Sequence, residues 1–300
     1  MTAFWSGWIM FLVVFNLGIT LFLFLWGQRV IIPLLPDGTT GHVWAHGVLR
    51  ESVRKLPMWW VVLSAAMFVV GFVYLALYPG FGSFKGTLGW TSHGELAEDL
   101  AANQARLDPL LKRVATMPLE QVAADPEAMQ LGHRLFVDNC AACHGNEGHG
   151  NALVGAPDLT DTDWTYGGSA DAILASINNG RQGVMPPLGG GMDAAGVENL
   201  ANYVLSLSGA DHWPSKAEAG KASFALCAAC HGMDGTGNQA LGAPNLTDHT
   251  WLYGGDQASI EKTIREGRSG FMPAWQTRLS ETDVRLIAGW VYAQSHAKAP

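Results

Sequence analysis

A pair of cysteines followed by a histidine occurs twice in the 300-residue chain. Each copy reads Cys-Ala-Ala-Cys-His-Gly, and the two copies are 87 residues apart. They comprise Cys140, Cys143 and His144 in the first copy and Cys227, Cys230 and His231 in the second. Cysteines at i and i+3 can form thioethers with both vinyl groups of a porphyrin, and the adjacent histidine then lies beneath the iron. The pattern therefore predicts two covalently bound haem c groups, with His144 and His231 as axial ligands.

Other uses of a Cys-x-x-Cys pair explain this spacing less well. A zinc ribbon needs two such pairs about 15–20 residues apart, whereas 83 residues lie between Cys143 and Cys227. A thioredoxin-like redox pair lies beside an alternating strand–helix pattern, which this sequence does not have. If all four cysteines bind haem, none is left for a structural disulfide.

The second axial ligand is expected in a loop farther along each copy. Met185 and Met272 each precede a proline, and each lies 41 residues after the haem histidine. A thioether ligand raises the haem potential and fills the open coordination position, which is typical of an electron carrier rather than a catalyst. We therefore predict Met185 and Met272 as iron ligands. His149 and His249 are rival candidates, although histidines in such loops are more often surface residues.

Further short motifs recur at the same offset of 87 residues. They are Gly155-Ala-Pro157 with Gly242-Ala-Pro244, Trp164-Thr-Tyr166 with Trp251-Leu-Tyr253, and Gly180-Arg181 with Gly267-Arg268. One domain has therefore been duplicated, and we expect cytochrome c domains over residues 126–210 and 211–300. Apolar residues recur at helical spacing without clear strand alternation, so the predicted fold class is mainly α. The two arginines either pair with haem propionates or form surface salt bridges, and the aromatic residues pack on haem or donate to propionates.

Two uncharged stretches lie within the first 80 residues. Residues 4–26 and 58–78 are each long enough to cross a bilayer as a helix, and aromatic residues cluster at their ends. A cleavable signal peptide would need a basic start and a small-residue cleavage site, and neither is visible. Residues 1–80 are thus predicted as a membrane anchor with two transmembrane helices, and residues 81–125 as a helical connector.

The charges of the chain predict its orientation and its partners. The loop 27–57 holds Arg29, Arg50, Arg54 and Lys55, so the positive-inside rule places it in the cytoplasm and the haem domains in the periplasm. The formal net charge of −8 argues against nucleic-acid binding. Residues 79–300 contain 14 lysines and arginines against 24 acidic residues. Such a surface would attract a basic c-type cytochrome as electron donor.

Taken together, these features resemble the dihaem subunit III of cbb3-type cytochrome c oxidases. The likeness rests on the two apolar spans, the exit Tyr78-Pro79-Gly80, the two Cys-Ala-Ala-Cys-His-Gly motifs, and the Gly-Ala-Pro-(Asp/Asn)-Leu and Gly-Arg…Met-Pro segments. Trp59-Trp60 and Tyr74-Leu-Ala-Leu-Tyr78 are its more specific parts. The loop 27–57 departs from the family pattern.

The resemblance implies a place in a respiratory complex of the bacterial inner membrane. In that complex a catalytic subunit carries a low-spin haem and a haem–copper centre, and a monohaem cytochrome subunit lies beside it. The dihaem subunit accepts electrons from periplasmic c-type cytochromes. The resemblance also implies that Met185 and Met272 are exchanged between the two haems, which their equal spacing leaves open.

Two other functions compete with electron entry into an oxidase. One is a free-standing, membrane-anchored dihaem shuttle, which would need only one span. The other is a dihaem peroxidase, which needs one iron with an open or displaceable site, whereas both copies here carry the same Met-Pro segment. We therefore expect an electron-transfer subunit without a catalytic site of its own.

Overall fold

The computed structural model of the chain describes residues 2–52 and 56–296. Arg54 and Lys55, which contribute to the orientation argument, lie outside the described residues, as do positions 297–300 of the second predicted domain. The contacts divide the chain into two compact units, one up to Ala105 and one from Arg106 onward. The predicted mainly α fold class is confirmed, because helices make up most of the secondary structure.

The N-terminal unit contains two apolar helices joined by a hairpin. Helix α1 (Ala3–Gly27) and helix α2 (Met58–Leu77) have mean hydropathies of 2.4 and 2.3. By length and composition both can cross a membrane. Between them, strands β1 (Thr39–Trp44) and β2 (Leu49–Ser52) pair antiparallel, with Trp44 opposite Leu49. The sequence analysis did not predict this hairpin.

Helix α3 (Ser92–Thr116) leads into the second unit, whose helices follow the apolar pattern of the sequence. They are α4 (Leu119–Ala124), α5 (Pro126–Asn139), α6 (Ala141–His144), α7 (Ala170–Asn179), α8 (Ala194–Leu207), α9 (Pro214–Gly220), α10 (Ala225–His231), α11 (Gln257–Glu266) and α12 (Glu281–His296). Five of them begin with a side-chain cap, from Asp125, Ser169, Asp193, Asp256 and Ser280. The sequence Ser215-Lys-Ala-Glu218 predicts a capping box at the start of α9. This prediction is wrong, because α9 begins at Pro214 after Trp213 and has no side-chain cap.

Two separate apolar cores form in the second unit. The first core contains buried residues of α4, α5, α7 and α12, together with the end of α3. The second core contains buried residues of α8, α10 and α11, together with Phe224. Helix α8 belongs to the first sequence repeat but packs in the second core, and α12 belongs to the second repeat but packs in the first core. The closing helices of the two repeats are therefore exchanged.

A short antiparallel ribbon joins the two repeats next to the exchanged helices. Strands β3 (Arg181–Met185) and β4 (Arg268–Met272) pair so that Arg181 lies opposite Met272 and Met185 opposite Arg268. Gly180 precedes β3 with a φ of 69°, and a Cβ there would lie 2.4 Å from the carbonyl oxygen of Met272. Gly267 has the same role before β4, with 2.5 Å to the oxygen of Met185. Only glycine allows both the left-handed backbone and the close strand approach.

Candidate functional site

Both predicted haem histidines are buried and oriented by the same backbone bond. His144 is 9% exposed and His231 is 8% exposed. The Nδ1 of His144 lies 3.2 Å from the carbonyl oxygen of Pro157, and the Nδ1 of His231 lies 2.9 Å from that of Pro244. Because a carbonyl only accepts, each Nδ1 carries the proton and each Nε2 is left with a free lone pair. A neutral ring held in this way is the form that binds a metal.

Burial also shifts the pKa values of the histidine and cysteine side chains at this site. It lowers the pKa of His144, an effect that outweighs the opposing bond to Pro157, so the ring is neutral at physiological pH. Burial, and then the neighbouring Cys143, raises the pKa of Cys140 to about 11. Burial also raises the pKa of Cys227. These sulfurs are therefore thiols at neutral pH, the form in which they add across a vinyl double bond.

Each cysteine pair has one inner and one outer member. Cys140 is half-buried and Cys227 is buried, whereas Cys143 and Cys230 are exposed. Cys140 packs against the first core and Cys227 lies within the second. A group bonded to both sulfurs would thus reach from an apolar core to the protein surface.

The ribbon brings each Met-Pro segment to the other repeat. Met272 packs against the first core. Directly after it, the amide of Trp275 donates to the carbonyl of Ile177 in α7 at 3.0 Å. In the same way the amide of Leu188, which follows Met185, donates to Ile264 in α11 at 2.9 Å, and Leu188 packs against the second core. Met272 thus lies with the core beside His144, and the segment of Met185 runs along the core beside His231.

Tyrosine and arginine side chains form a matched pair in each repeat. The Arg181 guanidinium lies 4.7 Å from the ring centre of Tyr166, and that of Arg268 lies 4.5 Å from the ring centre of Tyr253. The arginine Nε atoms donate to Ser176 and Thr263, both at 2.9 Å, and neither arginine forms a salt bridge within the described part of the chain.

Whether these residues fit a haem can be tested on one buried atom. The Tyr166 hydroxyl is buried and has no hydrogen-bond partner among residues 2–52 and 56–296. A buried donor without a partner is costly, and a haem propionate beside Arg181 would satisfy it. Together with the free Nε2 atoms and the paired thiols, this orphaned hydroxyl shows that the residues fit haem c.

The rival histidine ligands lie at the surface. His149 is exposed, and its Nδ1 is 3.2 Å from the Thr160 hydroxyl. His249 is exposed as well. Sequence reasoning missed the β3–β4 ribbon and the exchanged helices, which place the methionines. The recurring Gly-Arg-x-Gly-x-Met segment was the available signal. Its first glycine, Gly180 in one repeat and Gly267 in the other, is the position where the backbone of the opposite strand comes too close for a side chain.

A cavity of about 630 Å³ lies between the two repeats and is lined in part by acidic residues. Thr250 donates to Asp163 across it at 2.8 Å. Burial first, and then the charges of Asp158, Asp163 and Asp248, raises the pKa of Asp161 to about 6. These carboxylates therefore repel one another when all are ionised.

We expect Asp161→Asn to stabilise the protein above pH 6. Between about pH 4 and pH 6 the native state binds more protons than the unfolded state, so stability falls as the pH rises through this window. Asparagine keeps an acceptor for the Asp163 amide, which Asp161 binds at 3.0 Å, but carries no charge. The gain should be on the order of 1 kcal/mol after solvent screening and should vanish near pH 4. Thermal unfolding across this pH range measures it, and a gain that grows towards acid would contradict the assignment.

Comparisons with known proteins identify the family of the chain. The family described as cytochrome c oxidase, cbb3-type, subunit III matches residues 127–204 and again residues 215–291. The N-terminal domain of cytochrome oxidase-cbb3, FixP, matches residues 36–85. This match includes most of the loop 27–57, so the expectation that the loop departs from the family pattern is wrong. The chain belongs to the cbb3-type oxidase subunit III family. It is a c-type cytochrome of an oxidoreductase complex, and its function is electron transport.

Named relatives cover most of this subunit III chain. The cbb3-type cytochrome c oxidase subunit CcoP of Rubrivivax gelatinosus is 45% identical over 86% of this chain and 84% of the relative. Subunit FixP of Azorhizobium caulinodans is 38% identical over 85% and 92%. Subunit CcoP of Cereibacter sphaeroides is 36% identical over 85% and 93%. The family match spans both the N-terminal segment and the two cytochrome domains.

Proposed function

We propose that this chain is the dihaem electron-entry subunit of a cbb3-type oxidase. It takes electrons from a periplasmic c-type cytochrome and passes them towards the monohaem and catalytic subunits. The observation that carries the proposal is the duplicated site, in which a buried histidine with a free Nε2 follows a pair of cysteines. When bound, haem c supplies one-electron transfer at its iron. Cys140, Cys143, Cys227 and Cys230 hold two such groups covalently.

The exchanged elements support an assignment of the iron ligands. We assign His144 with Met272 to the first haem and His231 with Met185 to the second. Support comes from the packing of Met272 and Trp275 on the core around α7, and of Leu188 on the core around α11. With a nitrogen and a sulfur ligand at each iron, neither site is open for a substrate. A peroxidase reaction is therefore disfavoured, and the chain acts as a carrier.

The N-terminal unit anchors the subunit in the bacterial inner membrane. Helices α1 and α2 cross the bilayer, each with Trp or Tyr residues near its ends. The basic residues of the loop 27–57 place that loop in the cytoplasm and the haem domains in the periplasm. Two spans provide more surface for partner subunits than a simple shuttle needs.

Purification from membranes in mild detergent tests the complex. An affinity tag after the last residue should co-purify haem b and copper in constant ratio to haem c. A variant without residues 1–80, expressed with a cleavable export signal, is the control and should lose both. Haem c without haem b or copper would favour the free-standing shuttle instead.

The donor should dock through electrostatic attraction. Residues 79–300 carry an excess of ten acidic charges, from 14 basic and 24 acidic residues. Stopped-flow reduction by a basic cytochrome c should slow by roughly tenfold or more between low and physiological salt. A neutral small-molecule reductant serves as the control and should show little change. A rate that is flat or rises with salt would contradict electrostatic docking.

A further inference from the structure

A tyrosine of each repeat occupies the space beside a glycine of the other repeat. A Cβ on Gly242 would lie 2.3 Å from the hydroxyl oxygen of Tyr166. A Cβ on Gly155 would lie 2.4 Å from the hydroxyl oxygen of Tyr253. Both distances are far below van der Waals contact, so each ring fills the place of a missing side chain. The contact is formed twice, once in each direction between the repeats.

The two glycines lie close to the histidine acceptors. Gly242 is two residues before Pro244, whose carbonyl binds His231. The intervening Ala243 is fixed by two backbone bonds to Asn238, at 2.8 and 3.0 Å. The equivalent Gly155 precedes Pro157, the acceptor of His144, and Ala156 makes the same pair of bonds to Asn151. A shift of either glycine is therefore transmitted to the carbonyl that orients a haem histidine.

The same tyrosines also contact the strands that end in methionine. A Cβ on Gly183 in β3 would lie 3.3 Å from the Tyr166 hydroxyl, and one on Gly270 in β4 would lie 3.2 Å from that of Tyr253. Gly183 is two residues before Met185, and Gly270 is two residues before Met272. Tyr166 thus touches the segments of His231 and Met185, and Tyr253 touches those of His144 and Met272.

We propose that Tyr166 and Tyr253 are positioning residues that each act on the haem of the other repeat. Tyr166 sets the ligand geometry of the His231 haem, and Tyr253 sets that of the His144 haem. The proposal rests on the proposed function, since it takes these residues as iron ligands. The physical link is the hydrogen bond to the proximal histidine, whose strength sets the basicity of the ring and with it the redox potential.

The test uses glycine variants of the full-length holoprotein. Gly242→Ala should move the backbone away from Tyr166 and change the reduction equilibrium constant of the His231 haem at least tenfold. For one electron this is a shift of about 59 mV in its potential. Gly155→Ala should shift the other haem by a similar amount. Gly209→Ala is the matched control. Its φ of 71° equals that of Gly242 at 68° within a few degrees, but no atom lies within 4 Å of its Cβ.

A spectroscopic tag tells the two haems apart. Cys140→Ala leaves the first haem with a single thioether, so one vinyl group stays conjugated and the absorption band moves to longer wavelength. Redox titration of the tagged protein then gives each potential at its own band. A double variant, Tyr166→Ala with Gly242→Ala, relieves the clash and should return the potential of the second haem towards that of Tyr166→Ala alone.

The outcomes separate this proposal from the proposed function. It is overturned if Gly242→Ala behaves like Gly209→Ala, if it shifts the tagged haem instead, or if removing the Tyr166 ring gives no rescue. A wild-type protein that binds fewer than two haems, or lacks the near-infrared band of His/Met iron, would instead overturn the ligand assignment itself. Haem content and this band are measured on every variant before its potential is read.

Discussion

Replacing Met272 by histidine will make the haem of the first repeat bis-histidine, although Met272 lies in the second repeat. The potential of that haem should fall by roughly 0.1–0.3 V, within the ~0.8 V range that axial ligands span. The reason is that β4 delivers Met272 to the core beside His144. In protein tagged by Cys140→Ala, redox titration should show the fall at the longer-wavelength band.

Met185→His should have the converse effect and lower the potential of the untagged haem only. Met233→His is the control, because Met233 is 77% exposed and has no equivalent in the first repeat, where Asn146 stands. Covalent haem content should stay at two in all three variants, since no cysteine involved in the second haem and neither haem histidine is changed. If Met272→His altered the untagged haem, the ligands would be local rather than exchanged.

Equivalent core substitutions in α8 and α12 should each weaken the opposite repeat. Ile287 in α12 and Leu200 in α8 occupy the same position of the repeat and are 1% and 0% exposed. Ile287→Ala removes apolar volume from the core around His144, and Leu200→Ala removes it from the core around His231. Each change should cost about 2–5 kcal/mol.

Thermal unfolding followed at both haem bands measures this prediction. With Ile287→Ala, the tagged haem should lose its His/Met band at a lower temperature than the untagged one, and with Leu200→Ala the order should reverse. Leu226→Ala, at a 61% exposed position of α10, should change neither. If the haem bound by the same repeat as the substitution lost its His/Met band first, the closing helices would stabilise their own repeat in solution.

Local chemistry was largely predictable from the sequence. The spacing of Cys140, Cys143 and His144 depends only on neighbours along the chain, as do helix caps such as Asp125 and Ser169. The two apolar helices were also predictable, because a long uncharged stretch of apolar residues is typical of a helix that can cross a membrane. These features need no knowledge of which distant segments meet.

The exchange between repeats was not predictable in the same way. Met185 and Met272 stand 41 residues after their own histidines, so a local and an exchanged arrangement give the same sequence pattern. Strands β3 and β4 have only five residues each, with Gly183 and Gly270 at their centres, and too little alternation to indicate a ribbon. Tyr166 and Tyr253 read as haem-packing residues of their own repeat, and only the fold brings each to a glycine of the other.

The crossed helices also set the order in which the protein can be completed as it is synthesised. Every member of the second core lies between Leu188 and Ile264, so this core can close as soon as that stretch has emerged. The first core runs from Leu110 to Tyr292 and must wait for α12. Since proteins are made from the N-terminus, the half that begins first is finished last. Until then the core beside His144 and its cysteines is incomplete.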